Sequence, residues 1–236
     1  MPLTQQEKGE TFRALHQGEP FVIPNPWDSG SARVFAGLGF KALATTSSGH
    51  AFTLGRADGT VTLEEIAAHV ADLSAATDLP VSVDLENGYG RKPEAAATER
   101  VAAAAAAAAA LDFPFTLTAR AENQLRSNAD IDDTIARLQA YERAGADVLY
   151  APGLVTAEEI KTVCDAVSKP VNALAFGRLG LSFAEITAAG AQRVSVGGGL
   201  TWSAVNGAIE AAERIIDDGD FSGLGTPGRV KEWLGT

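Results

Sequence analysis

Hydrophobic positions along the chain change their period many times, and each change marks an element. Short runs rich in β-branched and small apolar residues occur at 21–26, 42–48, 81–86, 115–121, 148–152, 171–175 and 193–197. Several of them are apolar almost throughout, as strands are when helices cover both faces or a barrel closes. Between them, stretches with apolar residues every three or four positions predict helices over 29–37, 63–75, 93–110, 130–144, 157–167, 183–189 and 202–217. Thr62 before Leu63-Glu64-Glu65 and Thr156 before Ala157-Glu158-Glu159 mark helix starts. Repeated strand–helix units imply parallel strands joined by right-handed crossovers. No linker or charge block divides the sequence, so a single α/β domain over residues 1–236 is expected, with a helical tail from about residue 200. The natural architecture is a TIM-type (β/α)8 barrel.

The pattern is one strand short of that barrel. Between Glu86 and Phe115 there is room for one loop and one helix, and the helix contains nine consecutive alanines, Ala102 to Ala110. Two readings stand. Alanine is the best helix former, so this is an ordinary helix in a seven-strand chain. Alternatively, the fourth strand and a gating segment are missing from the sequence as given, with a break expected near 97–101.

Composition narrows the function classes. The chain has 236 residues, 46% of them hydrophobic, and a net charge of −11. Nucleic acid and anionic membrane are therefore not expected partners. No apolar run reaches the ~20 residues of a membrane span. The first twenty residues are polar and helix-like, without a basic segment leading into an apolar one, so a cytoplasmic protein is expected. A single cysteine, Cys164, excludes an internal disulfide and a multi-cysteine zinc site.

Candidate chemistry gathers after the predicted strands, where parallel α/β folds keep it. Asp84 and Glu86 are two residues apart, which on a strand puts both carboxylates on one face. Converging acids at a barrel mouth invite a hard cation such as Mg²⁺ or Mn²⁺; the plain alternative is a solvated strand end. The Thr45-Thr46-Ser47-Ser48-Gly49-His50 run offers hydroxyl and backbone donors for a carboxylate or phosphate. Asp58, in a Gly-rich turn, is a candidate third acid. Thr118, Arg120 and Glu122 share a strand face, where Arg120 either clamps an anion or pairs with Glu122. Ser195-Val196-Gly197-Gly198-Gly199 resembles a phosphate-binding turn, which keeps a phosphate-binding barrel aldolase or isomerase in view.

Taken together, Asn25-Pro26-Trp27-Asp28, Ala44-Thr45-Thr46-Ser47-Ser48-Gly49, Leu54-Gly55 with Asp58, Asp84-Leu85-Glu86-Asn87-Gly88-Tyr89-Gly90 and Ala119-Arg120-Ala121-Glu122-Asn123 resemble the isocitrate lyase / phosphoenolpyruvate mutase superfamily. The resemblance implies an Mg²⁺-dependent barrel that makes or breaks a C–C or C–P bond next to a 2-oxo acid, by way of an enolate. It implies Asp84 as the metal ligand, with Asp58 and Glu86 acting through water. The Ser47-Ser48-Gly49-His50 segment and Arg120 would bind the 2-oxo acid or dicarboxylate, with Trp27, Glu122 and Asn123 alongside. Arg120, Asp58 and Glu86 are the catalytic candidates. Lyases of the superfamily carry a catalytic cysteine on a mobile loop, and Cys164, inside a helix pattern, does not take that place. A metal- and dicarboxylate-binding barrel without turnover therefore stays open. The resemblance also implies a homodimer or tetramer built through the apolar tail.

Overall fold

A computed structural model of the chain describes residues 2–86, 97–125, 129–176 and 179–234. Backbone contacts divide it into two compact units, Met1–Ile23 with Leu85–Val196, and Pro24–Asp84 with Gly197–Thr236. Seven strands are seen among the described residues, all paired in parallel.

The first unit holds a five-stranded sheet ordered β1-β7-β6-β5-β4. Its strands are β1 (Phe21–Ile23), β4 (Thr118–Arg120), β5 (Val148–Tyr150), β6 (Val171–Leu174) and β7 (Arg193–Ser195). Helices α1 (Gln5–Leu15), α5 (Ala97–Ala109), α6 (Ile131–Arg143), α7 (Ala157–Asp165) and α8 (Phe183–Ala188) belong to it. Leu138, Leu149, Ile160, Val163 and Ile186 are sealed in its core. The second unit pairs β2 (Leu43–Ala44) with β3 (Val81–Ser82) and carries α2 (Ser29–Gly37), α3 (Ser47–Thr53), α4 (Leu63–Ala76), α9 (Gly199–Asp218) and α10 (Lys231–Leu234). Ala32, Phe35, Leu43 and Leu73 form its core.

Local chemistry sets the helix starts. Thr4/Glu7, Asp28/Ser31, Thr62/Glu65, Thr156/Glu159 and Ser182/Glu185 each form a reciprocal capping box, which satisfies orphan N–H groups at the first turn. Strands are shorter than the apolar runs predict. Pro24, Asn25 and Pro26 are buried but lie beyond β1; the prolines offer no N–H to a ladder, and the Pro24 carbonyl takes part, accepting from the Ala44 N–H at 3.0 Å. The 42–48 run also ends early: Thr46 accepts from the Gly49 N–H and starts α3, a helix the strand reading passes over. The alanine run is helical within α5, which is unbroken between Ala97 and Val101, so no break falls there. The stretch from Thr98 to Ala109, where the missing segment is expected, is helix throughout, and residues 87–96 lie outside the described residues.

One buried polar chain crosses the first unit. Arg193 is 5% exposed, and its Nε donates to Asn172 Oδ1 at 2.8 Å. Asn172 Nδ2 donates to Ser195 Oγ at 3.0 Å. Arg193 Nη1 stands 3.3 Å from His16 Nε2, and His16 Nδ1 is 2.8 Å from the Phe12 carbonyl. These contacts assign one tautomer: Nδ1–H donates to the carbonyl, and Nε2 accepts from the guanidinium. The imidazole also lies edge-on between Phe12 and Phe21. Burial, and secondarily the Arg193 charge, pull its pKa from 6.5 to about 4.

His16 therefore resists protonation when folded and accepts it readily when unfolded. Its contribution to stability is complete above about pH 6.5 and is lost as pH falls toward 4. His16→Gln should flatten the fall in unfolding free energy between pH 7 and pH 4.5 by up to ~3 kcal/mol, read by denaturant titration at the two pH values. An unchanged slope would show that His16 is not the group responsible.

Candidate active site

In the second unit the site is built around Thr45, the residue after β2. Thr45 is buried, and its N–H donates to the Ser82 carbonyl at 2.9 Å, carrying the β2–β3 pairing one residue further. Its carbonyl accepts from Asn25 Nδ2 at 2.9 Å. Its hydroxyl oxygen accepts from the Asp84 N–H at 2.8 Å. One residue thus fixes the segments that follow β1, β2 and β3.

Asp84 is half-buried beside Thr45, beyond the end of β3. The strand stops at Ser82, so period-two alternation does not govern Asp84 and Glu86. Glu86 instead has φ of 47°, the one non-glycine residue with a left-handed backbone among the described residues. Such a conformation costs on the order of 1–3 kcal/mol and is a recurrent mark of functional sites. Asn87, Gly88, Tyr89 and Gly90 lie outside the described residues. Asp58 sits on an exposed turn, its Oδ1 accepting from the Gly59 N–H at 3.1 Å. The nearby Arg56–Glu65 ion pair holds the Glu65 carboxyl down at about 2. Among the described residues no three Asp, Glu, His or Cys side chains gather into a metal cage. The donor set fits a hard cation that keeps much of its water and takes one protein carboxylate directly.

Ser47 and Ser48 open α3 half-buried, and Gly49 and His50 follow fully buried. A Cβ on Gly49 would lie 2.6 Å from Thr46 Cγ2, 2.7 Å from Thr201 Oγ1 and 3.0 Å from Trp27 Cβ. Glycine is therefore a steric requirement here. Trp27 is half-buried with its indole edge-on to Phe35. At Gly198 an added Cβ would meet Ser48 Oγ and Trp202 Nε1, so that glycine lets both polar atoms approach the backbone. The His50 ring does not join the hydroxyl cluster. It stacks on His69 of α4, a residue the sequence reading passes over. The available signal was its position: with Ile66 and Leu73, His69 occupies the inward stripe of α4.

In the first unit, Arg120 ends β4 with its Nε 2.9 Å from Glu122 Oε1, the pairing that the shared strand face allows. Asn123 is buried in the turn that follows. Its Nδ2 donates to the Asp130 carbonyl at 3.1 Å and to Thr134 Oγ1 at 2.7 Å, so its amide secures the start of α6.

Parallel strands whose trailing segments carry carboxylate, hydroxyl and guanidinium groups define an α/β enzyme class with its chemistry after the strand ends. A family model described as phosphoenolpyruvate phosphomutase matches residues 12–99 and 93–216, and the chain belongs to that family. Its members are lyases and mutases. The chain is 30% identical over 227 residues to the 2-methylisocitrate lyase of Halalkalibacterium halodurans, covering 81% of this chain and 74% of the lyase. The crystal structure of a candidate lyase/mutase from Burkholderia cenocepacia J2315 superposes with a TM-score of 0.92 at 45% identity, over 98% of this chain and 97% of that one. The crystal structure of 2,3-dimethylmalate lyase, a member of the PEP mutase/isocitrate lyase superfamily, shares the fold with a TM-score of 0.85 at 23% identity, over 97% of this chain and 95% of that one. The two family-model stretches overlap at 93–99, beside the place where the strand pattern falls one short. No helix among the described residues is long and apolar enough to cross a membrane.

The packing at Gly49 gives a direct test. Gly49→Ala should destabilise the protein by ~1–3 kcal/mol, because Thr46, Thr201 and Trp27 leave no room for the methyl group. Denaturant midpoints of wild type and variant measure this, and equal midpoints would show that α3 shifts freely.

Proposed function

We propose that the chain is an Mg²⁺-dependent enzyme that makes or breaks a bond adjacent to a 2-oxo acid. A C–C bond is favoured over C–P by the likeness to 2-methylisocitrate lyase. The observation that carries the reading is the fixing of Asp84 by the Thr45 hydroxyl, next to the segment that begins α3. In this reading Asp84 holds the cation directly, and Asp58 and Glu86 reach it through water. Bound there, Mg²⁺ supplies positive charge opposite the oxygen that turns negative as an enolate forms.

The chain's own groups do the rest. Thr46 takes the Gly49 N–H, and the Ser47 and Ser48 N–H groups, at the helix start, receive the substrate carboxylate. Trp27 walls that segment on its apolar side. Glu122 stands beside the Arg120 guanidinium as its ion-pair partner, and the guanidinium stabilises the developing enolate oxygen. An acidic chain thus binds an acidic substrate through a cation and one arginine. Asn123 contributes by holding the turn that follows Arg120.

Assembly is a second part of the proposal. On α9, Ala204, Val205, Ala208 and Ile209 line an apolar groove of about 450 Å³ with Trp27 and Phe52. Further along, Ile216 is 80% exposed and Phe221 64%. A surface this apolar fits a homodimer or tetramer joined through the tail.

Calorimetry tests the chemistry. Wild type should bind Mg²⁺ or Mn²⁺, and Asp84→Ala should not. With Mg²⁺ present, oxalate, which resembles the pyruvate enolate, should bind wild type, and Arg120→Ala should weaken it by ~2–5 kcal/mol. Equal metal affinity in the Asp84 variant would remove Asp84 from the site. Light scattering tests assembly: the wild-type mass should be a multiple of 24.4 kDa, and Ile209→Glu should lower it. A wild-type monomer would refute the interface.

A further inference from the structure

His50 and His69 form a stacked imidazole pair, with ring centroids 3.9 Å apart and planes 13° from parallel. Each residue is 7% exposed. Among the described residues no hydrogen-bond partner reaches either ring nitrogen of His50 or Nε2 of His69. The pair is therefore held by packing, ring on ring, and the reaction proposed above uses neither side chain.

Burial, against most of the charges around it, keeps the pair neutral. Burial acts first on both rings and lowers both, His69 to about 4. Glu65 and Arg56 act on His50 in opposite directions, while Asp72 and Asp28 only partly offset the burial of His69. Two uncharged imidazoles can lie face to face, whereas two imidazolium ions would repel.

Position gives the stack its meaning. Helix α3 has seven residues, too few to sustain itself by its own hydrogen bonds. It must be held from outside. The Thr46 cap holds its first turn, Gly49 packs on Thr201 and Trp27, and the His50 ring is its contact with the inward face of α4.

We infer that His69 is a positioning residue for ligand binding: through its stack on His50 it holds α3 against α4 and so fixes Ser47, Ser48 and Gly49. This rests on the proposed role of that segment in receiving a substrate carboxylate. His69 itself touches no substrate.

The test compares His69→Ala, His69→Phe and, as a control for general loosening of α4, Leu73→Ala. Two readouts are taken on the full chain, oxalate affinity with saturating Mg²⁺ and hydrogen exchange of the amides of residues 47–53. His69→Ala should weaken oxalate at least tenfold and speed exchange across α3. His69→Phe, which keeps a flat ring in the stack, should restore both to within about threefold of wild type. Leu73→Ala should lower the melting temperature without the selective change at α3. If His69→Ala does not fold, His69→Gln carries the same comparison. Unaltered affinity and exchange in the His69 variants, or the same losses in Leu73→Ala, would overturn the inference. Should wild type bind no oxalate, the role of the segment fails, and hydrogen exchange alone still decides whether His69 positions α3.

Discussion

Three strand ends have to be held in register before any chemistry can follow them, and in the second unit Thr45 does this with three of its own polar groups. Its N–H prolongs the β2–β3 ladder, its carbonyl takes the Asn25 amide, and its hydroxyl takes the Asp84 N–H. A buried donor or acceptor left without a partner costs ~1–3 kcal/mol, so these bonds are enforced by the penalty for breaking them. Asp84 inherits its place from that arrangement. What Thr45 fixes is the Asp84 backbone, and the position of the carboxylate follows from it.

Much of this was legible in the residues. Helix starts follow capping chemistry that reads directly as Thr, Ser or Asp with Glu or Ser three positions later, and the predicted helices agree with the observed ones to within a few residues. The apolar runs outreach the strands because burial continues past the ladder: Pro24 to Pro26 are interior, and the two prolines have no N–H to give. Helix α3 was hidden because its residues, Ser, Gly, His and Thr among them, carry no apolar period, and its cap is the only local signal. The alternation argument for Asp84 and Glu86 failed once β3 ended at Ser82. For Arg120 and Glu122 the spacing that allowed an anion clamp also allowed their pairing, and the pairing is the contact seen. Asn123 shows the limit: no pattern says whether a buried amide faces a ligand or secures a turn.

All three histidines of the chain are buried, and each is used as a flat apolar body with a polar edge. His16 lies between two phenylalanines with its nitrogens assigned, and His50 and His69 lie on one another. Burial lowers the pKa of each, which favours the uncharged ring.

The left-handed backbone at Glu86 sets fold and function against each other at a single position. Glycine would relax that conformation, while deleting an acid proposed to act on the cation through water. A search for heat-tolerant variants that ignored activity would be free to try glycine there, and would meet the proposed chemistry only when turnover was measured.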